Sequence, residues 1–339
     1  MRNYSIRKRV LVTGGAGYVG SHACKALALA GYLPVVYDNL SRGHAWAVKW
    51  GPLERGDLMS AARLTAVLRR HRPFAVLHFA ALAYVGESVA DPLRYYRNNV
   101  GGTIDLLRAM REAEVSKIVF SSTCAVYGVP KKVPIPENHP QHPLNPYGHS
   151  KRMVEQMLAD AASAYGIDSV SLRYFNAAGA DPDGEIGEAH DPETHLIPLA
   201  LEVAAGLRPR LTIHGIDYPT PDGTCIRDYV HVADLADAHV LALRYLARNP
   251  GASAFNLGNG GGFTVREVIA AAERVTGRKI RVREGPRRPG DPPALVGNAG
   301  SARRTLGWKP RYRDLEAIVS TAWRWLQSGK GRARRKKRA

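Results

Sequence analysis

The sequence predicts an α/β fold, a doubly wound parallel sheet followed by a smaller and more irregular α/β lobe. Three observations carry this. Strand-like and helix-like segments alternate through the first half of the chain. The strand-like runs are continuously apolar, as strands buried on both faces are. A glycine-rich turn, GGAGYVG, joins the first such run to the first helix.

In order, Val10–Thr13 is a short apolar run and predicts the first strand. Beyond the glycine turn, Ser21–Leu29 has helix-forming composition and ends before Gly31. Pro34–Tyr37 is a second β-rich run. Residues 61–71 show a helical pattern, and Ala75–Phe79 reads as a third clear strand. Val100–Ala113 predicts a helix, Lys117–Ser121 a strand, Met153–Ala164 a helix and Ser169–Arg173 a strand. Such alternation requires crossover connections and therefore a parallel sheet. From about residue 176 the character changes. Residues 181–195 are polar with Gly and Pro and predict a loop. Helices are expected at Leu196–Ala205, Ala233–Leu246, Thr264–Val275 and Leu315–Gln327, with a strand at Ile226–Val232 and a flexible turn at Gly258–Gly262. No internal repeat is found.

The chain has 339 residues, 45% of them apolar and 23% charged, a balance that excludes wholesale disorder. It has no run of 18 apolar residues, so no membrane-spanning helix is expected. The basic N-terminus lacks an apolar segment with a cleavage site, so no secretory signal is expected. Cys24, Cys124 and Cys225 lie far apart and suit a reducing compartment, most simply the cytoplasm. The net charge is +18, but four basic residues lie in the first nine positions and seven in GKGRARRKKRA at the end, leaving +7 on the rest. The tail reads as a solvated end, since no aromatic residue interleaves with its charges as a stacking surface would need. A weak contact with nucleic acid or an anionic surface is the alternative. His139, His142 and His149 lack zinc-site spacing, and no metal site is expected.

The turn has Gly14, Gly17 and Gly20 in a G-x-x-G-x-x-G spacing that also encloses Tyr18 and Val19. Glycine lets the backbone turn tightly and a pyrophosphate approach, while the helix that follows aims free N–H groups at the phosphates. At a strand–helix junction this predicts a Rossmann-like dinucleotide site. Asp38 stands 18 residues after Gly20 at the end of the second strand. A carboxylate there accepts from the adenosine ribose hydroxyls and repels a 2′-phosphate, favouring NAD over NADP. Asp57 and Leu58 follow the next segment and could reach the adenine. Turn formation or capping is the structural alternative for Asp38 and Asp57. Downstream, Tyr147 and Lys151 are four residues apart and share a face if helical. A nearby ammonium favours the phenolate, so Tyr147 could take a proton from a substrate hydroxyl. Ser122 and Thr123 lie at a strand end, where either hydroxyl could donate to a developing oxyanion or simply cap the next segment.

With these motifs in place, the chain resembles the extended short-chain dehydrogenase/reductase superfamily and, within it, the UDP-galactose (UDP-glucose) 4-epimerase family. The resemblance runs from about residue 9 to 327. It is carried by VLVTGGAGYVGSH (10–22), YDNLSRG (37–43), HFAALAYVGESV (78–89), YYRNNVGGT (95–103), FSSTCAVYG (120–128), NPYGHSK (145–151), RYFNAAGA (173–180), DGTCIRDYVHVADLADAHV (222–240) and PRRPGDPPAL (286–295).

The resemblance implies that retained NAD withdraws hydride from C4 of the hexose while Tyr147 takes the 4-hydroxyl proton. The 4-keto sugar then turns over, and hydride returns to its other face. It implies that Lys151 tunes Tyr147 and contacts the nicotinamide ribose, and that Thr123 bonds the 4-oxygen. The other implied cofactor contacts are Asn39, Phe79, Ala80, Ala81, Asn98, Ser121, Ser122, Tyr174 and Phe175. Asn176, His195, Leu196, Arg227, Arg288, Asp291 and Leu295 would hold the UDP-sugar, and guanidinium suits paired phosphate oxygens. A homodimer is implied, through the helices at Val100–Ala113 and Lys151–Ala164.

This chain departs from the common family pattern at Ala83 (often Lys), His195 (often Asn) and Leu295 (often larger or polar). UDP-glucose/galactose, UDP-N-acetylhexosamine and UDP-pentose therefore all stay open as substrates. Cys124-Ala125 after Thr123 lack the acid–base pair of the related dehydratases. A non-catalytic NAD-binding protein with a nucleic-acid-binding tail is the distant alternative. The expected division is a basic arm (1–9), an NAD-binding domain (10–180), a mainly substrate-binding lobe with segments returning to the first domain (181–328) and a disordered basic tail (329–339).

Overall fold

In a computed structural model, residues 7–288 and 290–330 are described; the arm's first six residues and the tail from 331 lie outside them. The elements in chain order are β1 (Arg9–Thr13), α1 (Tyr18–Leu29), β2 (Leu33–Asp38), β3 (Leu53–Arg55), α2 (Ala61–His71), β4 (Ala75–His78), α3 (Val85–Ala90), α4 (Pro92–Tyr95), α5 (Gly102–Glu112) and β5 (Lys117–Thr123). They continue as α6 (Pro146–Tyr165), β6 (Asp168–Tyr174), β7 (Asn176–Ala178), α7 (Leu196–Ala204), β8 (Leu211–His214), β9 (Ile226–Arg227), β10 (Tyr229–His231), α8 (Val232–Leu246) and β11 (Ala252–Leu257). The last are β12 (Phe263–Thr264), α9 (Val265–Thr276), β13 (Val282–Gly285), β14 (Ala294–Leu295) and α10 (Leu315–Gln327).

Seven strands form one parallel sheet in the order β11-β6-β5-β4-β1-β2-β3. The predicted doubly wound α/β class is therefore observed. Its apolar strands are continuous because alternate side chains serve two cores. Val10 and Val12 join α1 and α8 on one face, with Leu27, Leu235 and Leu243. Leu11 points the other way, into Leu64 and Leu68 of α2, Leu106 of α5 and Leu158 of α6. A third cluster, with Leu201, Val268 and Ile318, packs α7, α9 and α10 together.

Several segments differ from the sequence reading, among them the strand expected at Ile226–Val232, which is split into β9 and β10 in different sheets. Ala252–Leu257 extends the main sheet beside β6, so a late stretch of chain returns to its edge. ASAFNL has one clearly apolar end, a weak strand signal unless the neighbouring strand is known. Residues 85–101 fold as α3, α4 and a π-turn running into α5, where no element was expected before Val100. Helix α6 begins at Pro146 rather than Met153. Asn145 caps it by accepting from Gly148 N at 2.9 Å, Pro146 occupies the first turn, and Gly166 ends it at φ 65°.

The parallel registers line up Thr13 with Tyr37 and His78, and Thr123 with Tyr174. The carboxyl ends of β1, β2, β4, β5 and β6 thus share one edge, where open α/β sheets place their ligands.

Candidate active site

The glycine turn sits at this edge. Gly14 has φ +72°, and a Cβ on it would stand 2.6 Å from Ala80 N. A Cβ on Gly20 would stand 2.2 Å from Gly14 O, so only glycine lets α1 pack this close to its own strand. No side chain caps α1 at Gly17, and Tyr18 and Val19 form its first turn. This is a cradle whose backbone donors remain available to phosphate.

Asp38 is buried at the end of β2. Its Oδ2 accepts from Ala16 N at 3.0 Å and its Oδ1 from Leu40 N at 2.8 Å. Burial raises its pKa, and the two amide hydrogen bonds work against that rise. The turn-forming alternative is thus realised, and each carboxylate oxygen keeps a lone pair for a ribose hydroxyl. Asp57 Oδ2 accepts from exposed Asn39 at 2.7 Å and Asp57 Oδ1 from Met59 N at 2.9 Å. The Leu58 side chain is buried in the core below α5. Only its main chain is available to a ligand.

At the other end of the cradle, Phe79, Ala80 and Ala81 follow β4 and are partly exposed. Asn98 donates to Asn99 Oδ1 at 2.9 Å. Asn99, which sequence reasoning missed, receives Leu82 N at 2.8 Å and donates to Leu82 O and to Ser150 Oγ of α6, each at 3.0 Å. It ties the wall beyond β4 to α6. His78 was also missed. It is wedged between Thr13 at 2.7 Å and Thr103 at 3.0 Å, and burial with nearby Lys151 lowers it to about 3. It is therefore a neutral packing group. Both residues lie in segments that carry the resemblance, 78–89 and 95–103, but their partners are distant in sequence and appear only on folding.

Tyr147 lies on the first turn of α6 and Lys151 one turn on, as the spacing predicts. Lys151 is 4% exposed and donates from Nζ to Ser121 O at 2.8 Å. Its ammonium lies 6.0 Å from the Tyr147 ring centroid. Burial lowers it to about 7, against the weaker pull of Glu155. Burial also raises the Tyr147 phenol, with Tyr174 adding to the rise and a hydrogen bond with Thr123 countering it. In the protein alone, burial outweighs the Thr123 hydrogen bond that favours the phenolate.

Thr123 accepts from Ala125 N at 3.1 Å, so it caps the next turn and also meets Tyr147. The choice between the two strand-end hydroxyls is decided by the pleat. Ser122 faces the opposite side and donates to Glu155 at 2.5 Å, whereas Ser121 bonds the Tyr174 hydroxyl at 2.6 Å.

The low value at Lys151 has a consequence for the cofactor-stripped protein. Between pH 7 and its ordinary 10.5, the unfolded chain holds a Lys151 proton that the folded chain has released. Stability therefore rises with pH across this window. The melting temperature of the wild type relative to Lys151→Met should climb from pH 7 to about 9.5, short of the raised Tyr147 titration. A pH-independent difference would contradict the assignment.

The second half of the chain supplies the facing wall. Phe175 is buried, and Asn176 opens β7 beside Tyr229 of β10. Arg227 is 9% exposed, pairs with Asp291, and is aligned across β9 and β14 with Leu295. Leu295 packs against Cys124, Val126 and Phe175. Arg288 is exposed at the rim, close enough to His214 to lower its pKa along with burial. His195, immediately before Leu196 and α7, is bound by Glu188 at 2.7 Å and Glu193 at 3.1 Å. Arg227, Asp291 and Leu295 are thus brought together; Arg288 and His195 lie on other segments of the wall.

The glycine cradle and the acidic strand end have the form of a dinucleotide site, with the buried tyrosine–lysine pair on the same edge. Residues 10–258 match the NAD dependent epimerase/dehydratase family, and the chain belongs to that family. It is 55% identical over 316 residues to a UDP-glucose 4-epimerase of Rhizobium meliloti, covering 93% of this chain and 96% of the relative. The structure is similar to that of a UDP-glucose 4-epimerase from Brucella ovis in complex with NAD (55% identity, TM-score 0.91, 94% of this chain and 98% of that one). It is also similar to a UDP-glucose 4-epimerase from Bifidobacterium longum in complex with NAD+ and UDP (38% identity, TM-score 0.91, 96% and 99%).

Among the described residues, no helix is long and apolar enough to cross a membrane, and all three cysteines are free and buried.

Proposed function

We propose that this protein is a UDP-glucose 4-epimerase that inverts C4 of UDP-galactose with NAD it retains. The observation that carries this reading is Tyr147 on the same sheet edge as the glycine cradle, sharing a hydrogen bond with Thr123. NAD bound there supplies reversible oxidation at the sugar carbon and a positive ring near the phenol. Gly14, Gly17 and Gly20 admit its pyrophosphate and Asp38 accepts from its ribose. Tyr147 takes the 4-hydroxyl proton and gives it back on the other face. Thr123 holds the 4-oxygen, and Lys151, fixed on Ser121 O, meets the cofactor ribose and keeps Tyr147 in place. On the facing wall Asn176, Arg227 and Arg288 take the diphosphate, with Asp291 orienting Arg227.

His195 and Leu295 border the sugar. Leu295, packed on Phe175 and Cys124, leaves less polar surface for an N-acetyl group than a hydrophilic residue would. That favours the hexose over the hexosamine. Residues 10–180 carry the cofactor and residues 181–328 most of the sugar nucleotide site. Two copies pair through α5 and α6, a reading supported by exposed Leu93, Ile104 and Met153 on and near those helices. Sedimentation as a monomer at micromolar concentration would remove the pairing. No nucleic-acid role is assigned to the tail.

A 1H NMR time course with UDP-galactose and no added NAD should show UDP-glucose appearing to a stable ratio. No conversion with added NAD would overturn the hexose assignment, and turnover of UDP-N-acetylgalactosamine or UDP-xylose instead would move it to those sugars.

A further inference from the structure

The loop joining β7 to α7 holds a cluster of four side chains, of which the proposed epimerase reading uses only His195. His190 Nδ1 and His195 Nδ1 converge on one carboxylate oxygen of Glu188, at 2.8 and 2.7 Å. Glu193 closes the group, 3.1 Å from His195 Nδ1 and 3.9 Å from His190 Nδ1. One donor atom from each of the four lies within 4.8 Å of the others. The carboxylates are sequestered, with side-chain exposures of 7% for Glu188 and 2% for Glu193. Among the described residues, neither carboxylate has a lysine or arginine partner.

We propose that Glu188, His190, Glu193 and His195 form a binding site for one divalent transition-metal ion, best suited to Zn2+. A tetrahedral centre with bonds of about 2.0–2.2 Å places its ligand atoms roughly 3.3–3.5 Å apart, and the observed spacings straddle that separation. Two imidazoles and two carboxylates are a nitrogen–oxygen set that suits zinc. With both imidazoles neutral, the four donors carry two negative charges, which one M2+ balances.

The loop is also braced before any ion arrives. Trp325 Nε1 donates to Glu188 O at 2.8 Å, Arg42 to Asp191 O at 3.0 Å, and His44 Nε2 lies 2.8 Å from Ala189 O. Beside the cluster, the Tyr84 ring meets that of His190 edge-on at 6.0 Å, and its buried hydroxyl has no partner among the described residues.

A second acidic group shows the contrast. Asp181, Asp183 and Glu185 also gather, but Lys25 Nζ already sits among them at 2.8, 2.6 and 2.7 Å. An ammonium fills that site; among the described residues no lysine or arginine enters the histidine cluster. The ion would hold His195, and through it the start of α7, against the sugar nucleotide wall.

The test is metal titration of the full-length protein after chelator stripping and dialysis, read without substrate so that it stands apart from the sugar assignment. Co2+ should bind at one equivalent per chain, give the visible ligand-field band of a four-coordinate site, and be displaced by one equivalent of Zn2+. His190→Ala and Glu193→Gln, each checked for native circular dichroism, should weaken Zn2+ in competition with a chromophoric chelator by roughly 100-fold. Absence of stoichiometric binding at micromolar metal would overturn the proposal. So would a weak six-coordinate spectrum, or undiminished affinity in both folded single variants.

Discussion

Tyr147→Phe should lose epimerisation by roughly 10³-fold or more in kcat, at the upper end of what general acid–base groups contribute. The substitution removes one oxygen and leaves the ring in place. Thr123 then loses its bond to Tyr147 and keeps only the one it accepts from Ala125 N. Lys151 cannot substitute, because Nζ is held on Ser121 O at 2.8 Å over the Phe120 ring. The α6 cap at Asn145 and the π-turn contacts through Asn99 are unaffected, so fold and bound nucleotide should be retained. Progress curves by NMR, with nucleotide content measured on the denatured protein, check both halves. A loss of less than about tenfold would remove Tyr147 from the proton transfer. KM should change little, since the phenol is asked to act in the transition state rather than in ground-state binding.

The largest stability effect is expected behind the site. Arg173 of β6 and Glu155 of α6 form a buried pair, 7% and 10% exposed, with the closest approach at 2.6 Å. Arg173 also donates to the Tyr127 hydroxyl at 2.9 Å and to Glu137 O at 3.1 Å. Burial works against the Arg173 charge, and the Glu155 carboxylate more than offsets it. Glu155→Gln keeps the shape but removes the counter-charge, and a lone buried cation costs about 3–5 kcal/mol. The midpoint of urea unfolding should fall accordingly. Replacing both partners by apolar residues, Glu155→Leu with Arg173→Met, should be more stable than Glu155→Gln alone, because no uncompensated charge remains. If the double variant were the less stable, the pair's geometry and not its charge would be the source. Ser122 donates into the same pair, which is why this strand-end hydroxyl serves the core and Thr123 the pocket.

Much of this protein was legible in its residues. The parallel sheet followed from continuous apolar runs such as Val10–Thr13 and Lys117–Ser121, because burial on both faces leaves no polar alternation. The cradle followed from Gly14, Gly17 and Gly20, because a close helix–strand approach excludes any Cβ. The face shared by Tyr147 and Lys151 followed from helical spacing alone.

Other features are long-range and have no local signature. ASAFNL becomes a sheet strand only because β6 offers it an edge. Ser122 and Thr123 are chemically alike in sequence, and the pleat sends one to Glu155 and the other to Tyr147. The phenol is raised rather than lowered because folding desolvates it together with Lys151. The four residues Glu188, His190, Glu193 and His195 read as part of a polar loop. Their donor atoms converge only because Trp325, Arg42 and His44, from distant parts of the chain, clamp the backbone between them. Periodicity and turn chemistry act over a few residues and can be read in one dimension. Desolvation, ion pairing and the convergence of donors depend on which segments meet, and that is settled only when the sheet, its two faces of helices and the facing wall have packed.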